Sequence, residues 1–302
     1  MLKCAAYFHA PAYLYPMKFI LSLFLLSFLA CGAPSAAEDS TAEQEREAVA
    51  TSMAPASAPP ATDTLPEPEP ADPNAPPIPS QVYLTGKFDP LKHPDFVKVA
   101  AKYTDGDPYV LHKQTYASFE RMYAAALADG VKLVMVSATR NFARQKQIWE
   151  AKWNGKRLLE GRDKADEVYP DPADRARAIL RYSSMPGTSR HHWGTDIDLN
   201  DLENSYFARG EGKKVYDWLT ANAATYGFCQ PYTAKGPARP NGYEEEKWHW
   251  SYLPLATKLT DYAVTALKDT DISGFAGAEA APRIGVLENY VLGINTACKS
   301  SK

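Results

Sequence analysis

Ser189-Arg190-His191-His192-Trp193-Gly194-Thr195-Asp196-Ile197-Asp198-Leu199 is the stretch on which the reading of this chain turns. From Gly194 to Leu199 it alternates as a strand does. Thr195, Ile197 and Leu199 then share one face, and Asp196 and Asp198 share the other. The first set belongs to a core. Two carboxylates on the opposite face need charge compensation if they are buried, and a cation would supply it. His191 lies just ahead of the strand, close enough to bend onto the carboxylate face. Further along, Glu246-Lys247-Trp248-His249 adds a second imidazole and another acid. A regular strand would send Glu246 and His249 to opposite faces, so they converge only if a bulge or turn intervenes. Together the two stretches offer two imidazoles, a carboxylate for a divalent cation, and a further carboxylate that need not bind it. A catalytic zinc takes three protein ligands and keeps one position for water, beside which a free carboxylate acts as general base.

Around these stretches the pattern mixes helices and strands. Lys113 to Asp129 places Tyr116, Phe119, Tyr123, Ala126 and Leu127 on one helical face, and Gly130 ends the helix. Val131 to Val136 reads as a buried strand. Asn141 to Trp153 and Lys213 to Tyr226 read as amphipathic helices, and Glu246 to Leu253 as a strand. No regular βαβ repeat links them, so the expected class is α+β, an antiparallel sheet flanked by helices.

The whole chain bounds the reading further. At 302 residues with a net charge of -3, it carries no basic field that would call for a nucleic-acid partner. From Met17 the sequence reads as one positive charge, a short apolar run and small residues, ending Phe28-Leu29-Ala30-Cys31-Gly32: a secretory signal, with residues before Met17 an over-extended start. Its ending resembles a bacterial lipobox, which makes Cys31 the expected lipidation site and residues 1–31 a signal segment. Residues 32–80, rich in Ala, Pro and Glu, form a linker too poor in apolar residues to fold. Residues 81–302 are the folded domain. Of the four cysteines, Cys229 and Cys298 remain in that domain, and an exported chain could pair them as a disulfide.

The arrangement Ser189-x-His191-x-x-Gly194-x-x-x-Asp198 followed by Glu246-x-Trp248-His249 resembles the zinc-binding pattern of the VanY-like D-alanyl-D-alanine carboxypeptidases. Ser137-Ala138-Thr139-Arg140-Asn141-Phe142-Ala143-Arg144-Gln145 is similar to a third segment of that family, with Ala138-Thr139 where the family has Gly-Tyr. The resemblance implies the zinc D,D-peptidase and hedgehog fold, with one zinc ion held by His191, Asp198 and His249. It implies Glu246 as the catalytic base, Arg140 as a catalytic and substrate-binding cation, and Gln145 and Ser189 as substrate contacts. Asp196 departs from the small residue usual there, and is expected to orient His191 or His192 or to pair with an arginine. The implied substrate is the peptidoglycan stem peptide, reached from the bacterial cell envelope through a lipid anchor in the membrane. Cleavage of an L,D bond, endopeptidase action, and a zinc-bearing binding module without activity are the alternatives.

Overall fold

The computed structural model describes Ala75 and residues 77–299. The expected signal segment, Cys31 and nearly all of the expected linker lie outside the described residues. The first regular element is helix α1 (Gln81–Leu84), capped by the Ser80 hydroxyl. Strands β1 (Phe96–Lys98) and β2 (Val110–His112) make a small antiparallel ribbon that leads into helix α2 (Lys113–Ala128). Strand β3 (Met135–Ser137) precedes helices α3 (Phe142–Trp153), α4 (Ala165–Val168) and α5 (Pro172–Ile179). Strand β4 (Asp196–Leu199), helix α6 (Gly210–Asn222), strands β5 (Phe228–Cys229) and β6 (His249–Tyr252), and helices α7 (Leu253–Ala266) and α8 (Ala280–Ile284) complete the order. The fold is α+β, as expected. No helix among the described residues is long and apolar enough to cross a membrane.

The central sheet has the order β3-β4-β6-β5 and every pairing is antiparallel. Its register sets Ser137 beside Asp198 and Asp198 beside His249, and one step along sets Asp196 beside Ser251. Directly paired residues share a face, so one face of the sheet carries Ser137, Asp196, Asp198, His249 and Ser251. The other face carries Met135, Ile197, Leu199 and Trp250, which pack with Phe119, Met122 and Ala126 of α2 and with Val215 and Leu219 of α6. A second apolar cluster, built on Trp149, Trp153, Ile179 and Tyr243, lies among α3, α5 and α8. The polar face of the sheet therefore holds the chemistry and the apolar face holds the core.

Several local expectations change. Leu127 is 52% exposed, because it lies about 100° around the helix from the buried Ala126, and Met122 fills the core position instead. Residues 131–134 bury Val131 and Leu133 but do not join the sheet. Asn200 occupies their polar groups, its side chain accepting from Val134 N–H and donating to Lys132 C=O. Pairing with β4 starts only at Met135. The strand expected over Glu246–Leu253 is confined to His249–Tyr252, with a turn before it and α7 starting at Leu253. Helix α6 ends at Asn222, and Ala223–Tyr226 continues as a 3-10 turn. Cys229 and Cys298 form a disulfide, tying the C-terminal segment to β5.

Candidate metal centre and active site

The imidazoles of His191 and His249 and the carboxylate of Asp198 bring one ligand atom each to within 4.8 Å of one another, all buried. Three elements do this. Asp198 sits in β4 and His249 begins β6, opposite it in register. His191 sits in a 3-10 turn, Arg190–Trp193, that Gly194 closes with φ +69°. A Cβ at Gly194 would lie 2.5 Å from the Phe96 ring and 2.9 Å from His112 N, so only glycine lets the turn pack here. The irregularity between Glu246 and His249 is a tight turn in which His249 N–H donates to Glu246 C=O at 3.3 Å. It brings Glu246 Oε2 to 3.4 Å from His249 Nδ1, on the carboxylate face.

Hydrogen bonds fix which nitrogen of each ring faces the cluster. His191 Nδ1 lies 2.8 Å from Ala138 C=O and can only donate to it, so Nε2 presents a lone pair, 3.3 Å from Asp198 Oδ2. His249 Nε2 donates to Asp196 Oδ1 at 2.9 Å, so Nδ1 presents its lone pair, 3.1 Å from Asp198 Oδ1. With both rings neutral, as a metal ligand requires, lone pairs meet a carboxylate at both contacts, and Asp198 Oδ1 is buried without a hydrogen-bond donor. A cation among the three atoms removes both repulsions. Two imidazole nitrogens and one carboxylate oxygen are the donor set that suits zinc with an open fourth position.

The charges respond accordingly. Burial works against an ionised Asp198, yet the two histidines hold it well below the usual carboxylate range. Burial likewise opposes a charged His249, but Asp196, Asp198 and Glu246 together raise it well above the ordinary imidazole value. Burial, assisted by the Arg140 charge, lowers His191. Glu246 is raised chiefly by burial, the direction that makes a carboxylate a better proton acceptor.

Asp196 is no ligand. Its Oδ1 accepts from Arg190 Nε at 3.1 Å as well as from His249, and its Oδ2 accepts from the hydroxyls of Ser251 and Thr195. Arg190, itself fully buried, also donates to Thr260 and Ser251 and stacks on Trp193. The sequence argument that one cation compensates both aspartates thus holds for Asp198 alone, and Arg190 compensates Asp196. The ring that Asp196 orients is His249, rather than His191 or His192. His192 instead clamps the loop beneath the site, donating from Nδ1 to Arg140 C=O and accepting Gly187 N–H at Nε2. With Arg140 N–H donating to His191 C=O, this anchors the Ala138-Thr139-Arg140 segment.

Arg140 Nη1 lies 3.6 Å from Asp198 Oδ2 and donates to Ser137 Oγ, while Nε donates to Gln145 Oε1 at 3.0 Å. Its Nη2 has no protein acceptor among the described residues. Gln145 was expected to touch substrate, but it is 1% exposed and its amide is used at both ends, by Arg140 and by Ser184 C=O at 2.8 Å. It lines the cavity and steadies Arg140 there. Ser189 Oγ is buried without a partner in the wall of the same cavity. That cavity, of about 1090 Å³, is also lined by Glu246, Tyr232, Trp248, Lys152 and Tyr182. Sequence reading missed Tyr232, whose ring packs on His249 at 4.7 Å between centroids, and Lys152, one turn beyond Trp149 on α3. Neither belongs to a recognisable spacing, although Lys152 does continue the buried Gln145 and Trp149 face at helical period.

Residues 109–255 match the family model described as VanY, D-alanyl-D-alanine carboxypeptidase. All seven residues of the expected site, from Arg140 to His249, fall inside that span. A D-alanyl-D-alanine carboxypeptidase of Enterococcus faecalis is 29% identical over 140 residues, 46% of this chain and 47% of that protein. The chain spans about half the length of the curated relatives it matches. Among solved structures, the LdcB LD-carboxypeptidase resembles it at 21% identity, covering 68% of this chain and 81% of the other with a TM-score of 0.43. VanYB in complex with D-alanine-D-alanine resembles it at 24% identity, covering 57% and 89%, with a TM-score of 0.40.

Proposed function

We propose that this protein is a zinc-dependent D-alanyl-D-alanine carboxypeptidase that trims peptidoglycan stem peptides in the bacterial cell envelope. The observation that carries it is the convergence of three lone-pair donors on one point, with Glu246 beside that point and outside the ligand set. A binding module would have no use for a buried carboxylate that binds no metal. His191 Nε2, Asp198 and His249 Nδ1 would hold the zinc. Bound there, zinc supplies a Lewis acid and brings the pKa of its water near neutrality.

The protein's own groups supply the rest. Glu246 accepts the proton of the attacking water and returns it to the leaving amine. Arg140 provides fixed positive charge for the anion beside the cluster, either the oxyanion or the substrate's terminal carboxylate. Ser137 and Gln145 hold that guanidinium in place. Ser189 offers a hydroxyl in the same wall that no protein group uses. An exported location, with Cys31 lipidated and residues 32–80 as a tether, puts the domain beside its polymer.

Glu246→Ala tests the mechanism. Release of D-Ala from a stem pentapeptide should fall by about 10²- to 10⁴-fold while bound zinc stays at one per chain. Undiminished release with zinc retained would sink the role of Glu246.

A further inference from the structure

Lys152 stands in the cavity wall without a carboxylate partner. It occupies the last turn of α3, and its ammonium donates to Ser183 Oγ at 2.6 Å. Among the described residues no acidic oxygen comes within ion-pair distance of it. Its nearest acidic neighbours are otherwise engaged: Glu160 pairs with Arg181 at 3.0 Å, and Glu246 faces His249. Both Lys152 and Ser183 line the same cavity as the metal cluster, as does Arg157. Burial and the Arg157 charge push Lys152 down to about 8, as expected of an ammonium lacking a counter-ion. A half-buried cation of this kind, aimed along a substrate groove and joined only to a hydroxyl, is a place for an anion.

Its position says where on a peptide that anion would be. Gln145, which steadies Arg140, and Lys152 lie seven residues apart on α3, about 10 Å along the axis. The adjacent residues Ser184 and Ser183 receive their hydrogen bonds, so one edge of the cavity runs from Arg140 to Lys152. An extended peptide covers about 3.3–3.6 Å per residue, so this edge spans about three residues. A carboxypeptidase has a single residue on the leaving side of the scissile bond, which leaves this reach only toward the N-terminal side.

We infer that Lys152 is a specificity-determining residue that binds a side-chain carboxylate two or three positions N-terminal to the scissile bond. The inference rests on the proposed carboxypeptidase reading. It makes the protein select stem peptides that carry a free acid at that position over those in which the acid is amidated.

The zinc-loaded protein is assayed on two acylated peptides, X-D-Ala-D-Ala, with X either 2-aminopimelate or its ω-carboxamide. The expected kcat/KM favours the free acid by about 10-fold, the range of one charge-assisted hydrogen bond. Lys152→Met should remove the preference and leave the rate on the amide unchanged, and Lys152→Arg should restore it. An equal rate on both peptides, or a preference that survives in Lys152→Met, overturns the inference. If neither peptide is cleaved, the carboxypeptidase reading fails by itself. Calorimetric titration of both peptides then still decides the role of Lys152, since equal affinities overturn it.

Discussion

At Asp196 a single carboxylate meets an arginine, an imidazole and two hydroxyls, so its replacement acts on the metal site through the far nitrogen of the His249 ring. Asp196→Asn keeps the shape but removes the charge that Arg190 and the His249 Nε2–H both use. Zinc affinity should fall on the order of 10- to 100-fold, as when other acceptors behind a ligating imidazole are lost. Competition against a chromophoric chelator measures it, and an unchanged affinity would contradict the role given to Asp196. The change should also lower stability, because it leaves Arg190 buried with no carboxylate. Sequence could not supply this partnership. Arg190 is six residues from Asp196, but Ser251 and Thr260, which complete the network, come from β6 and α7 far along the chain.

Among the elements, β4 was legible because its alternation separates aspartates from apolar residues, and both sets are found where alternation puts them. The turn before β6 was legible only as a necessity. Glu246 and His249 had to meet, and nothing in Lys247-Trp248 says how. Residues 131–134 misled because apolar content marks burial, whereas joining the sheet requires a free partner edge, which Asn200 takes away. Leu127 misled because a helix face has an edge, and composition alone does not locate it. Helix α2 carries a pH prediction. Its N-cap is the Nδ1 of His112, which accepts Gln114 N–H, and burial pushes this imidazole from 6.5 down to about 4. The folded state therefore resists the proton that the unfolded chain takes up near 6.5. The stability present above 6.5 is lost as pH falls toward 4. In urea titrations across that window, His112→Asn, which keeps a capping oxygen, should show a shallower loss. An identical slope in the variant would contradict this.

At the scale of the molecule, three features should be separable. The Cys229–Cys298 disulfide closes a loop with a sequence separation of 69, and Cys298 lies outside the family match. Cys298→Ser should cost about 2–5 kcal/mol in urea unfolding without altering zinc stoichiometry. Removing zinc with a chelator should lower Tm reversibly, because only the folded chain brings His191, Asp198 and His249 together to bind it, and added zinc should recover it. Cys31→Ser should move the protein from the membrane fraction to the soluble one if lipidation anchors it. The central claim is the bond that is cut. Mass spectrometry of a stem pentapeptide digested by the zinc-loaded protein addresses it most directly. The expected product is the tetrapeptide, short by one D-Ala, with no further shortening. An unaltered pentapeptide, or cleavage at any internal bond, would contradict the account.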